Sequence, residues 1–153
     1  MPYTVGNQTK TKILTGPESH KLHVEFEADD NIHIGQPCKM HADGGKVSPC
    51  AANDPENVIV GISIHEGGSA YGDYVVLATR GYAIVYHEAT AAVTPGPVQY
   101  RGYNATSGYN KVATLAAVTT PAENAALPSS LHYGWALDKA TAEGDIIRVL
   151  IKD

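Results

Sequence analysis

Large aromatic side chains other than tyrosine are nearly missing: one Phe and one Trp stand among 153 residues. Cysteine and methionine are equally scarce, with two of each. So few cysteines exclude a disulfide scaffold, and 153 residues are enough to bury a core without one. Apolar runs last only a few residues, so no segment has the length of a membrane-spanning helix. Positive charge is short as well. Eleven Lys and Arg against 16 Asp and Glu leave a net charge of −5, and no basic stripe is present, so neither nucleic acid nor membrane is an expected partner. The N-terminal "MPYTVGNQTKTKILTG" has no apolar h-region and no cleavage pattern. That predicts synthesis and use in the cytosol, or carriage into a particle assembled there. On the same ground the sequons at Asn7 and Asn104 read as chance.

What is abundant is punctuation. Fifteen Gly and nine Pro are spread along the chain, which predicts many short strands and turns. "KLHVEFE" puts Leu22, Val24 and Phe26 on one face and charged or polar residues on the other, the pattern of a half-buried strand. "IHIGQPCKM" and "KVSPCA" flank Asp43-Gly44-Gly45, a hairpin signal. "ENVIVGISIHE" is β-branched on both faces, as in a central strand. Residues 1–16 are weakly patterned and read either as a flexible tail or as an extended arm that orders on a partner.

The second half repeats the first. "VTPGPVQY" parallels "IHIGQPCKM", "GYNKVATLA" parallels "GGKVSPCA", "HYGWALD" parallels "IVGISIHE", and "EGDIIRVLI" parallels "YGDYVVLAT". Gly61 and Gly134 fall where strands cross closely or bulge. Gly72-Asp73 and Gly144-Asp145 mark turns that feed a strand. The one insertion, "VTTPAENAALPSS", opens with Thr-Pro-Ala-Glu, a capping box with Pro at the first helical position. It predicts a short helix near 120–128. The expectation is an all-β small barrel, with an extended arm over 1–20, one β-barrel domain over 21–153, and related units at 30–90 and 91–153, each too small to bury its own face alone.

Chemistry is sparsely signalled. With Asp43-Gly44-Gly45 as the loop, Ala42 would face Lys46, Met40 Ser48 and Cys38 Cys50. Opposed Cα atoms about 4.5–5.5 Å apart are within disulfide reach. Unbridged thiols are the other reading, favoured in a cytosol, and a different loop length would put the cysteines on opposite faces. The seven histidines show no zinc spacing. Neither a G-x-S-x-G elbow nor a phosphate-binding loop is present. No enzyme activity, catalytic residue, metal or cofactor is therefore expected. The loop "QYRGYNATSGYN" holds Tyr100, Arg101, Tyr103 and Tyr109. It reads as a hairpin packed on the barrel, or as a glycan- or protein-binding surface.

The run "IGQPCKMHADGGKVSPCAANDPENVIVGISIHEGGSAYGDYVVLATRGYAIV" resembles the head-decoration, or capsid cement, proteins of tailed bacteriophages. Gly-Gln-Pro before a strand, an Asp-Gly turn, "VIVGISIHE", and Gly-Asp before "VVLATRGYAIV" carry the resemblance over 30–99; the second half follows loosely. It implies a β-barrel of SH3-like or β-tulip type behind an extended arm. It also implies a structural virion protein on the capsid exterior, with the major capsid protein and its own copies, as a homotrimer, for partners. Under that reading Val5, Lys10, Lys12, Ile13 and Leu14 would bind the capsid. Tyr82, Tyr86, Tyr100, Arg101, Tyr103 and Tyr109 would make oligomer or surface contacts. The tyrosine loop and the helical insert depart from the pattern. The alternative is a glycan- or protein-binding accessory module that uses the Tyr100–Tyr109 loop.

Overall fold

The alternating segments become strands that close on themselves twice. The computed structural model describes residues 23–64, 66–68, 74–78, 82–115 and 131–152. The first barrel contains β1 (His23–Ala28), β2 (Pro37–Met40), β3 (Lys46–Pro49), β4 (Gly61–Ser63) and β5 (Tyr74–Ala78). The second contains β6 (Tyr82–Ala89), β7 (Gly96–Asn104), β8 (Tyr109–Thr114), β9 (Gly134–Ala136) and β10 (Ile146–Lys152). A 3₁₀ turn, Glu56–Val58, lies between β3 and β4. The all-β class and the small barrel are as expected from the sequence. The arm over 1–20 and the helix near 120–128 lie outside the described residues.

The two barrels share one topology. β1 runs parallel to β3 and antiparallel to β5, as β6 does to β8 and β10. The register also carries over. Glu27 faces Lys46 as Glu88 faces Lys111. Cys38 faces Gly61 as Val98 faces Gly134. Ile62 faces Ala78 as Trp135 faces Leu150. Isolated bridges recur too, Ile32 with Gly67 and Val93 with Ala140. Because β6 pairs with β8 and β10, it belongs to the second barrel. Strand pairing therefore places two barrels at 23–78 and 82–152, where the sequence suggested one barrel with units at 30–90 and 91–153.

Side-chain alternation fills each barrel with equivalent residues. Ile32, Cys38, Val47 and Val75 form the first core, with Phe26, Ala28 and Val60 packed against it. Their counterparts Val93, Val98, Val112, Ile147, His87, Ala89 and Tyr133 are all buried in the second barrel. The barrels then join. Ile62 turns out of the first barrel and is buried, with Cys50, in the apolar cluster of the second. Backbone bonds lock the contact: Asn53 N donates to Tyr100 O at 2.7 Å, and Glu56 N to His132 O at 2.8 Å. His33 stacks on Tyr103 with centroids 4.5 Å apart.

The β2–β3 hairpin corrects one sequence expectation. Cys38 faces Pro49 and Met40 faces Val47, one residue away from the anticipated pairing. His41 N donates to Lys46 O, so the loop holds the four residues 42–45 and not three. A one-residue slip moves the opposed side chain to the other face. Cys38 and Cys50 are both free and buried.

Gly134 fits where it does because it has no side chain. A Cβ there would stand 2.6 Å from Leu150 O and 2.7 Å from Ile151 Cγ2. Since one of those atoms is backbone, β10 would have to move. Gly134→Ala is expected to destabilise the protein by about 1–3 kcal/mol, the scale of an overpacked core, as read from the urea midpoint at unchanged m-value.

Candidate interaction surface

Two regions concentrate side chains that could act: the polar seam between the barrels and the outer sheet of the second barrel. The seam is built from β6, β7, β8 and the residue before β9. His87 is fully buried. Its Nδ1 lies 2.9 Å from Val85 O and its Nε2 lies 2.8 Å from the Tyr133 hydroxyl. A carbonyl can only accept, so Nδ1 carries the proton and the tyrosine donates to Nε2. Burial lowers the His87 pKa from 6.5 to about 4, against the opposing effect of the Val85 carbonyl, which keeps the ring neutral. Tyr100 is also buried, and its hydroxyl donates to Asn110 Oδ1 at 3.0 Å. Asn110 Nδ2 reaches across to Gly35 O of the first barrel at 2.8 Å. Burial pushes the Tyr100 and Tyr133 hydroxyls well above their ordinary range. It raises Cys38 well above the usual thiol value and Cys50 to about 12, so neither sulfur is an activated nucleophile.

The outer sheet presents the opposite character. While Val98, Ala136, Val149 and Val85 point inward and are buried, their neighbours point out. Register sets them in rows. Pro97, Trp135, Leu150 and Ile84 lie side by side across β7, β9, β10 and β6. The next row runs from Leu137, whose N donates to Arg148 O, through Arg148 to Tyr86. Ile146 follows beside Glu88. Trp135, Ile146 and Leu137 are 48%, 42% and 39% exposed. Three large apolar side chains that open, on one continuous sheet, are more than the scattered apolar exposure of an ordinary surface.

The patch is held rigidly. Arg148 Nη2 donates to Asp138 Oδ1 at 2.7 Å and Nε to Oδ2 at 2.8 Å, and Arg148 N donates to the same Oδ2 at 2.9 Å. The Arg148 fork holds the Asp138 carboxyl down at about 2. The edge of His132 packs on Trp135 with centroids 5.1 Å apart. At the turn into β10, Asp145 accepts from the backbone N–H of Thr141 at 2.7 Å and of Ala142 at 3.1 Å.

The residues singled out from sequence divide between these regions. Tyr86 is half-buried beside the outer sheet. Tyr109, also half-buried, follows on the adjacent β8 strand; burial raises its hydroxyl pKa, with Tyr86 and Glu88 close by. Arg101 is exposed and donates to Asn53 Oδ1 at 3.1 Å. Tyr103 is half-buried against His33. Tyr100 is a core residue, which corrects its reading as a surface contact: it is opposed to the inward-facing, buried Val112 of β8. Tyr82 opens β6, paired with Lys152, and its side chain is outside the described residues. So are Val5, Lys10, Lys12, Ile13 and Leu14. Sequence reading missed Trp135, Leu137, Ile146, Leu150 and Ile84. The available signal was "GWALD" and "DIIRVLI", strands apolar at both parities, where one face has no partner among the described residues.

No family model matches the chain, and none of the curated proteins matches it. Among solved structures it is similar to the N base of head fiber gp8.5 of bacteriophage phi29. The identity is 15%, the match covers 86% of this chain and 94% of that one, and the TM-score is 0.47.

The seam yields two expected outcomes. Asn110→Ala leaves the Gly35 carbonyl buried without this partner and the Tyr100 hydroxyl with Gln36 alone, and should cost about 1–3 kcal/mol, the scale of one unsatisfied buried group. Urea unfolding measures it. For His87 the folded pKa is lowered, so between pH 6.5 and 4 the unfolded chain binds a proton that the native one does not. Stability is complete above pH 6.5, falls by up to about 1.4 kcal/mol per pH unit on acidification, and levels off below pH 4. Urea titrations from pH 7.5 to 4.5 should show this slope in the wild type and its loss in His87→Gln.

Proposed function

We propose that this chain is a non-enzymatic structural protein of a phage virion, bound to the capsid exterior, where it reinforces contacts between major capsid subunits. The observation that carries the reading is the rigid apolar sheet face around Trp135, Leu137 and Ile146, open on a doubly closed barrel. A protein that acts by burying area against protein needs such a face and no reaction centre. The head-decoration cadence over 30–99 supports the virion setting. The N-terminal segment, with Val5, Ile13 and Leu14 as anchors and Lys10 and Lys12 beside them, grips the shell, adding a strand to an exposed edge. Binding only the assembled shell stabilises it by linkage, and many copies on one lattice multiply a modest energy per site.

The accessory-module reading draws less support. Of its three tyrosines, Tyr100 is in the core and Tyr103 is stacked on His33.

Deleting residues 2–16 should abolish cosedimentation with capsid shells while leaving the thermal unfolding of the barrels within a few degrees of the intact chain. Unchanged shell occupancy by the folded, truncated chain would remove the arm from the account.

A further inference from the structure

We propose that the Trp135 face docks head to tail on the open end of the first barrel in a second copy of this chain, repeating the contact that already joins the two barrels. The proposal rests on the reading of that face as a protein-binding surface, and names its partner.

The argument comes from residue equivalence. Register equates Ile62 with Trp135 and Pro37 with Pro97, since Pro37 faces Ile62 as Pro97 faces Trp135. In the first barrel the Ile62 part of this outer face is covered: Ile62 is 0% exposed, buried in the second barrel's cluster, while Tyr74, the counterpart of Ile146, stays open. In the second barrel the same place on the same sheet is open, and Trp135 is 48% exposed. The chain thus uses one copy of a docking face and leaves its duplicate free.

The receiving end shows the converse. The second barrel accepts the first over His87, Tyr100 and Tyr133, each fully buried. By register, His87 corresponds to Phe26, which face Ile147 and Val75 respectively. Tyr100 corresponds to Met40, which face Val112 and Val47 respectively. Tyr133 and Val60 both precede the glycine that opens their strands. Among the described residues nothing covers this end of the first barrel to the same degree: Phe26 and Val60 are half-buried and Met40 is 41% exposed. Each chain therefore carries an unused docking face on the second barrel and an unused receiving end on the first. Two different surfaces that fit each other make a heterologous contact, which grows until the rotation closes a ring. The occupied contact supplies the geometry, an apolar side chain of the docking sheet set against the barrel end, and the free pair exchanges the sizes, with the larger Trp135 for Ile62 and the smaller Met40 for Tyr100.

Two charge substitutions test it in the full chain, Trp135→Glu on the docking face and Met40→Glu on the receiving end. Both sites are exposed, so circular dichroism and melting should match the wild type. Light scattering over a concentration series should show wild-type assemblies larger than a dimer. Each variant alone should associate at least about 30-fold more weakly, the scale of an interface hot spot. Mixed one to one, the variants retain one intact contact, Trp135 of the Met40→Glu chain on Met40 of the Trp135→Glu chain. The mixture should stop near twice 16.2 kDa. A wild type that stays monomeric, a variant that assembles as the wild type does, or a mixture that stays monomeric would each overturn the proposal. Shell binding is read separately, through the 2–16 deletion, so a monomeric chain that still coats shells would sink the head-to-tail contact and leave the capsid reading standing.

Discussion

The structure depends on closing the end of the second barrel with the side of the first. A five-stranded barrel of this length can fill its middle, but its ends are open to water. Here Ile62 leaves its own barrel to complete the neighbouring core, and Asn110 ties Tyr100 to the Gly35 carbonyl across the seam. With that end dry, the second barrel can hold a neutral histidine and two tyrosines as core residues. Each has its polar atoms satisfied, and so burial does not leave them costly. The first barrel, lacking such a lid, makes do with Phe26, Met40 and Val60 in the same places.

Duplication explains both the economy and the surplus of this arrangement. One topology, one register and one set of core positions serve twice. Differences concentrate where the barrels meet: Gly61 and Gly134 keep their role, while Ile62 and Trp135, or Met40 and Tyr100, diverge in burial. A face built to dock cannot lose its apolar character without cost where it is used. Its duplicate keeps that character where none of the described residues covers it, as the proposed contact with a second copy requires.

Much of this was legible in the sequence because repeats and strand parity are local properties. Gly61 and Gly134 align from "GISI" and "GWAL", and the segments around Cys38 and Cys50 align with "VTPGPVQY" and "GYNKVATLA". Four features were not legible. The loop at 42–45 is one residue longer than its Asp-Gly-Gly suggested, which turned Cys50 away from Cys38. Tyr100 follows the inward parity of Val98 into the core, where a tyrosine-rich loop also suggested a surface. Trp135, Leu137 and Ile146 did not stand out, since alternation cannot tell a face buried within the chain from one left open. The strand pairing of β6, which decides where one unit ends, is a long-range choice that no short window contains.

Trp135 is the single tryptophan of the chain, so intrinsic fluorescence reports on the central claim without a label. As the protein is concentrated, the emission should shift to the blue in step with the rise in scattered mass, because the half-exposed indole is covered by the next copy. Mass that rises while the emission maximum stays fixed would place the contact elsewhere and contradict the account.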